Sequence, residues 1–276
     1  MEQLKEMHDH LDIMPESKPA STGIEALDRM GVQFEPGKLY VIGGRPGMGL
    51  TSIMLDIALQ ALREKTPIHI FTMRKSIHQL RFRIVAKYGE LPIDQLREQP
   101  SAIKAAAERF HAEIDASLLF IYDKSRLDDR FAETMINPKM SGLIMIDALN
   151  PTTAAGEPFV LCGNSFETDD NLLQRQIILG DLLQATAQSR NTAIVVLSKI
   201  PRKIELRNNK RPKKDDLNDA LAASASAILF LYRKAYYHSD ISCCKFEPAE
   251  IIVAKNTGGS TGTAYVSFDN ERLSFI

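Results

Sequence analysis

The sequence predicts an α/β fold in which a mostly parallel central sheet is flanked by helices and antiparallel strands are added near the C-terminus. Short apolar runs alternate with helical patterns along most of the chain, and strands joined in this way form a parallel sheet that is covered on both faces. The end of the chain differs, because its short strands are separated by turns, one of which is rich in glycine. That pattern is typical of antiparallel strands at a sheet edge.

Length and composition favour one main domain. The 276 residues are 44% apolar, which is enough to fill a single large core. We place that domain at residues 22–276 and treat residues 1–21 as a terminal helix and linker. The net charge of −1 gives no overall basic signature, so any nucleic-acid contact must come from a local patch.

Cysteine usage and hydropathy indicate the compartment. The three cysteines, of which Cys243 and Cys244 are adjacent, form neither a disulfide framework nor a zinc spacing. We find no signal peptide and no apolar run long enough to cross a bilayer. The sequence therefore predicts a cytoplasmic protein with no membrane partner.

The N-terminal segment predicts a helix that needs a partner. Residues 2–11 place Leu4, Met7 and Leu11 on one helical face, but so short a helix is unstable alone. The proline-containing residues 15–21 follow as a linker. Two arrangements stay open, in which the helix docks onto a neighbouring subunit or packs on its own domain.

The remaining elements follow from apolar periodicity and from capping residues. Helices are predicted at residues 22–30, 53–65, 76–87 and 102–116, and strands at residues 38–42, 68–72, 118–122, 142–146, 193–198, 227–232, 250–254, 264–268 and 273–276.

The segment between the first predicted strand and the helix that follows has the spacing of a phosphate-binding loop. It reads Gly44-x4-Gly49-x-Thr51, in which backbone N–H groups cradle phosphates and the hydroxyl meets Mg²⁺. Leu50 stands where the motif has lysine, and leucine brings no charge to the β and γ phosphates. The alternative interpretation is a glycine-rich turn with no ligand.

Several stretches of the sequence form a set of motifs, at residues 22–30, 34–39, 44–49, 145–148, 196–198, 230–237, 251–255 and 262–263. Together they resemble the motor domain of DnaB-type replicative helicases, a RecA-like ATPase. The resemblance covers the chain from about residue 20 onward, and its short N-terminal helix is similar to the one by which such subunits grip their ring neighbour.

The departures from this family fall on residues that the resemblance implies are catalytic. Leu50 stands in place of the phosphate-loop lysine, and Arg74 stands in place of the glutamate that orients the attacking water. Lys199 stands in place of the glutamine that senses the γ-phosphate. In the family's Lys-x-Arg pair, which acts on the neighbouring subunit's site, Lys255 is kept and the arginine is Thr257.

Each departure removes a different contribution to phosphoryl transfer, so we expect no intact catalytic set and lost ATP hydrolysis. One alternative is that Lys199 or Arg74 swings in to supply the missing charge. Weak ATP or ADP binding stays open, with Thr51 and Asp147 holding Mg²⁺ if nucleotide binds. The expected nucleotide-binding residues are Gly44, Arg45, Gly47, Gly49, Thr51, Ser52 and Asp147.

A basic segment follows the 193–198 strand. The preceding loop, residues 141–174, has no Lys or Arg, so the basic segment would carry any contact with single-stranded DNA. The other interpretation is a solvated surface loop. Its cations are Lys199, Arg202, Lys203, Arg207, Lys210, Arg211, Lys213 and Lys214, with only Glu205 opposed within the segment.

Taken together, these features predict a degenerate, non-hydrolytic DnaB-like motor domain that serves a DNA-replication or helicase assembly. Its partners would be copies of itself in a ring, or a replicative helicase. Two alternatives stay open: an active ATP-dependent helicase with rearranged site residues, and an interaction scaffold that binds no nucleic acid.

Overall fold

A computed structural model describes residues 18–72, 75–93, 98, 100–123, 141–149, 170–217, 219–237 and 244–276. The predicted helix at residues 2–11, Arg74 and most of the segment without basic residues lie outside this set. Residues 170–174, predicted as part of that loop, instead begin a helix. Among the described residues, no helix combines the length and the apolar character needed to cross a membrane.

The helices and strands follow the predicted alternation. The helices are α1 (Glu25–Asp28), α2 (Leu50–Arg63), α3 (Ile77–Tyr88), α4 (Pro100–Glu113), α5 (Asp170–Arg190) and α6 (Asp219–Ser224). The strands are β1 (Ala20–Ser21), β2 (Gln33–Phe34), β3 (Leu39–Gly44), β4 (Ile68–Thr72), β5 (Leu119–Asp123), β6 (Leu143–Leu149), β7 (Ala193–Lys199), β8 (Ala227–Arg233), β9 (Phe246–Asn256), β10 (Gly262–Asp269) and β11 (Ser274–Phe275).

Nine of these strands form one sheet in the order β11-β10-β9-β8-β3-β7-β6-β4-β5. The six strands from β8 to β5 in that order are parallel, and β9, β10 and β11 continue the sheet antiparallel. The predicted fold class is therefore confirmed. In a parallel sheet, the C-terminal ends of the strands share one edge, where ligands of such folds bind.

The central strands β3, β6 and β7 are buried on both faces. On one face, Tyr40, Val195 and Met145 pack with α2 in the largest core cluster. On the other face, Leu39 and Val196 pack with α5 residues in a second cluster. Alternating residues of β3, β6 and β7 thus face opposite layers, as the period of a strand requires.

The helix predicted at residues 22–30 is wrong in length, because α1 has only four residues. The Thr22 hydroxyl does not cap the helix start but donates to Asp28 Oδ1 at 2.7 Å. The short strands β1 and β2, which the sequence patterns did not predict, lie on either side of α1 and pair antiparallel. The domain division after residue 21 stays a prediction.

Candidate nucleotide site

The phosphate loop joins β3 to α2 at the C-terminal edge of the sheet. Gly47 and Gly49 have positive φ angles of 87° and 99°, which L side chains rarely adopt. The Met48 N–H donates to the Arg45 carbonyl at 3.1 Å, and α2 starts with Ile53 N–H donating to Gly49 at 2.9 Å. The backbone therefore has the turn that a glycine-rich phosphate loop requires.

The back of the loop rests on the C-terminal strands. A β-carbon built on Gly49 would come within 2.9 Å of the Phe275 ring and 3.3 Å of the Phe268 ring. Arg233, at the end of β8, donates to the Gly47 carbonyl at 3.0 Å. The loop is thus supported by residues far along the chain, which the loop motif itself does not reveal.

A buried ion pair orders this support. The Arg233 guanidinium bonds to Glu247, whose side chain is 2% exposed, and lies 3.8 Å from the centre of the Phe268 ring. Its third donor reaches Asn270 Oδ1 at 2.9 Å. Since each polar group has a partner, the cost of burying the charges is largely offset.

Leu50 is the first residue of α2. Its side chain is half-buried and packs against the main core. A β-carbon built on Gly44 would lie 3.4 Å from Leu50 Cγ, so the leucine folds back over the end of β3. An apolar side chain occupies the place where the motif puts a cation.

Three other predicted site residues lie in β6 and in the first turn of α2. Asp147 in β6 is 3% exposed, and it pairs in register with Thr72 of β4. Burial lowers the pKa of Arg83, and the nearby Asp147 carboxylate opposes that shift. Thr51 lies in the first turn of α2, and Ser52 is buried beside it.

Arg45 is engaged within the chain. Its Nε donates to Glu205 at 3.0 Å, and its Nη1 donates to the Ile200 carbonyl at 2.8 Å. The Glu205 carboxyl has its pKa lowered by the hydrogen bond from Arg45. The Ile200 N–H in turn donates to Gly44 at 3.1 Å, so the phosphate loop is tied to the segment after β7.

Lys255 also has partners in its own chain. Its ammonium donates to the Ala222 and Ala223 carbonyls at 3.1 and 2.9 Å, at the end of α6. Burial lowers its pKa, and the charge of Lys214 lowers it further. Thr257 is exposed at the turn after β9. In this chain, Lys255 therefore stabilises a helix end.

The basic segment is more ordered and more neutralised than its sequence indicates. Ile204 and Leu217 are buried in a core cluster under it. Arg207 pairs with Asp216 and Arg211 pairs with Glu250, each at 2.6 Å. Glu205 is the only carboxylate within the segment, but Asp216, which follows it, and Glu250 of β9 also neutralise its cations.

Of the other cations of the segment, two are half-buried and four are exposed. Lys210 lies over the Tyr237 ring at 4.7 Å, and Lys199 is the last residue of β7. Arg202, Lys203, Lys213 and Lys214 are exposed, and Arg202 also approaches Glu205 at 3.4 Å.

The model of one protein family, described as the DnaB-like helicase C terminal domain, matches residues 20–276. The chain belongs to this family. The DnaB of Geobacillus stearothermophilus, a replicative DNA helicase, is 28% identical to it over 264 residues. A probable plasmid replicative DNA helicase of Chlamydia psittaci is 28% identical over 273 residues. These alignments cover 92% and 95% of this DnaB-like chain but 56% and 55% of the relatives, so the chain spans about half their length.

Solved structures agree on the fold. A DnaB-like replicative helicase, determined to study its interactions with primase, superposes with a TM-score of 0.77 at 21% identity, over 99% of this chain and 67% of that one. A second solved structure, of an isolated ATPase domain, gives the same score and identity, with 100% of this chain and 97% of that one covered. The RecA-like helicase motor fold predicted from the sequence is confirmed.

Proposed function

We propose that this DnaB-like domain is a non-hydrolytic component of a DNA-replication or helicase assembly. The observation that carries the proposal is Leu50, which packs over Gly44 where a phosphate-contacting lysine belongs. Charge at the transferring phosphate is a main contribution to phosphoryl transfer. The family membership supports a helicase-related role.

Two further contributions to phosphoryl transfer are weakened in this chain: the charge supplied to a neighbouring site and the orientation of the attacking water. Lys255 donates to carbonyls of its own α6, which opposes a role in a neighbour's site. Thr257 has no charge to supply in trans. Arg74, the counterpart of the water-orienting glutamate, lies outside the described residues, but an arginine accepts no proton at neutral pH.

The residues that remain fit an Mg²⁺-nucleotide. The two positive-φ glycines keep the loop in the turn that presents N–H groups, the buried Asp147 lies in β6, and Thr51 lies in the first turn of α2. When bound, Mg²⁺ would neutralise phosphate charge. Thr51 and Asp147 would hold it, and the loop backbone would orient the phosphates.

The test is ATP turnover by the whole chain, with and without single-stranded DNA. We expect product formation equal to a buffer blank. A DNA-stimulated rate of about 1 per second or more, typical of working enzymes, would overturn the proposal. Thr51→Ala is the matched control, because it removes the hydroxyl expected to contact Mg²⁺. A rate that this variant abolishes belongs to the chain and not to a contaminant.

The proposal includes sequence-tolerant contact with single-stranded DNA, supported by the exposed Lys203, Lys213 and Lys214. Replacing these three with Ala should flatten the salt dependence of binding by about two units, at roughly 0.7 per lost contact. Arg207 and Arg211 are unsuitable for this test because both hold carboxylates. An unchanged slope would favour the scaffold interpretation.

Assembly into a ring, with copies of this chain or with a replicative helicase, is part of the same proposal. Sedimentation of the chain with and without residues 1–14 tests whether the Leu4, Met7 and Leu11 face contributes to self-association. Identical profiles would indicate that it does not.

A further inference from the structure

Lys199 lies at the C-terminal edge of the sheet, on the face where the phosphate loop lies. Lys199 ends β7 and is the register partner of Gly44 at the end of β3. Neighbouring strands are about 4.8 Å apart. The backbone of Lys199 is therefore one strand away from Gly44, over which Leu50 folds.

Strand alternation puts Lys199 on the phosphate-loop side of the sheet. Ala193, Val195 and Leu197 face the core that contains α2, while Ile194 and Val196 face the α5 side. Lys199 continues the first series, because side chains two residues apart share a face. Its stem thus leaves the sheet in the layer that holds α2 and Leu50.

Two other cations near this edge are engaged elsewhere, and a third lies farther away. Arg45 bonds to Glu205 and Ile200, and Arg233 holds Glu247 behind the loop. Lys75 follows β4, which is three strands from β3 and hence about 14 Å away. Within the described part of the chain, the half-buried Lys199 forms no ion pair.

We infer that Lys199 is the phosphate anchor of this site, replacing from the adjacent strand the charge that Leu50 lacks. Its ligand is the terminal phosphate of an Mg²⁺-nucleoside triphosphate. The assignment separates Lys199 from the basic segment and from DNA contact. It rests on the proposed function, since it puts a bound but unhydrolysed nucleotide in the same site.

A distinct consequence is preference for a triphosphate over a diphosphate. The loop backbone cradles the α and β phosphates, so a lysine that approaches from the adjacent strand β7 is left with the terminal phosphate of a triphosphate. A charged hydrogen bond to one phosphate corresponds to roughly 10- to 100-fold in affinity. The diphosphate lacks the phosphate that receives it.

The test is titration of the whole chain with a fluorescent, non-hydrolysable ATP analogue and with labelled ADP, each with Mg²⁺. Lys199→Gln, which keeps most of the stem and removes the charge, should lower triphosphate affinity about tenfold or more and ADP affinity much less. Lys199→Arg should keep most of the affinity. Lys104→Ala, on the exposed surface of α4, is the charge-matched control and should change neither.

A rescue variant completes the design. Adding Leu50→Lys to Lys199→Gln returns a cation to the loop and should restore binding. Triphosphate affinity unchanged in Lys199→Gln, an equal loss for both nucleotides, or no binding by the parent chain would each overturn the assignment. Binding and hydrolysis are separate readouts, so detectable ATP turnover would contradict the proposed function while leaving the anchor to be decided by affinity.

Discussion

The front and the back of the phosphate loop differ in what they retain. On the front, Leu50 and Lys199 stand where the resemblance to the family predicts catalytic residues. On the back, the Phe275 ring lies under Gly49, and Arg233 and Glu247 form a buried ion pair. The loop conformation therefore depends on packing behind it and does not require a lysine at position 50.

The support behind the loop extends into α2 and α3. The Lys87 ammonium donates to Asp56 and to Ser274 Oγ, both at 2.6 Å, and to the Leu273 carbonyl at 2.5 Å. Burial raises the pKa of Asp56, and the nearby Lys87 opposes that shift. This network fixes the last strand against the helix that leaves the phosphate loop.

The largest expected effect comes from breaking the back of the loop. Glu247→Ala leaves the Arg233 charge buried without its carboxylate, so the free energy of unfolding should fall by about 3 kcal/mol or more. Chemical denaturation measures it. Glu25→Ala is the control, because the Glu25–Arg29 pair is 78% and 74% exposed and should change stability by at most about 0.5 kcal/mol. Equal effects would mean that the buried pair does not support the loop.

A middle-sized effect separates backbone strain from packing. Gly49→Ala meets both a positive φ and the Phe275 ring, whereas Gly37→Ala meets a φ of 78° with its nearest atom 3.9 Å away. Strain alone costs about 1–2 kcal/mol, so Gly37→Ala should lose about that and Gly49→Ala clearly more. Thermal unfolding of both variants provides the comparison. If Gly49→Ala is as stable as Gly37→Ala, the Phe275 and Phe268 rings move aside at no cost and the packing argument fails.

The smallest expected effect on stability is at the front. Leu50→Lys should change the free energy of unfolding by less than about 1 kcal/mol, because the residue is half-buried and a lysine stem covers similar apolar surface. ATP turnover should stay at the blank level, since Arg74 and Thr257 remain. Recovery of hydrolysis by this single change would show that the leucine was the only defect.

The sequence alone determined the fold class, the positions of the core strands along the chain and the place of the phosphate loop, because apolar periodicity and glycine spacing are local signals. It also predicted departures from the family's catalytic residues at Leu50, Lys199 and Thr257, from the positions of these residues in the motifs. Local patterns predicted a longer α1 and missed the β1–β2 pair, which depends on residues on both sides of a turn.

Only the tertiary structure decided which charges are engaged. Arg45 meets Glu205, Arg211 meets Glu250, and Lys255 meets the end of α6. These contacts join residues far apart in the chain, so a count of charges along the basic segment misses most of them. The same is true of Lys199, which belongs to the charge run in sequence but lies beside Gly44 in the sheet. Parallel pairing brings together strand ends whose separation along the chain carries no local signal.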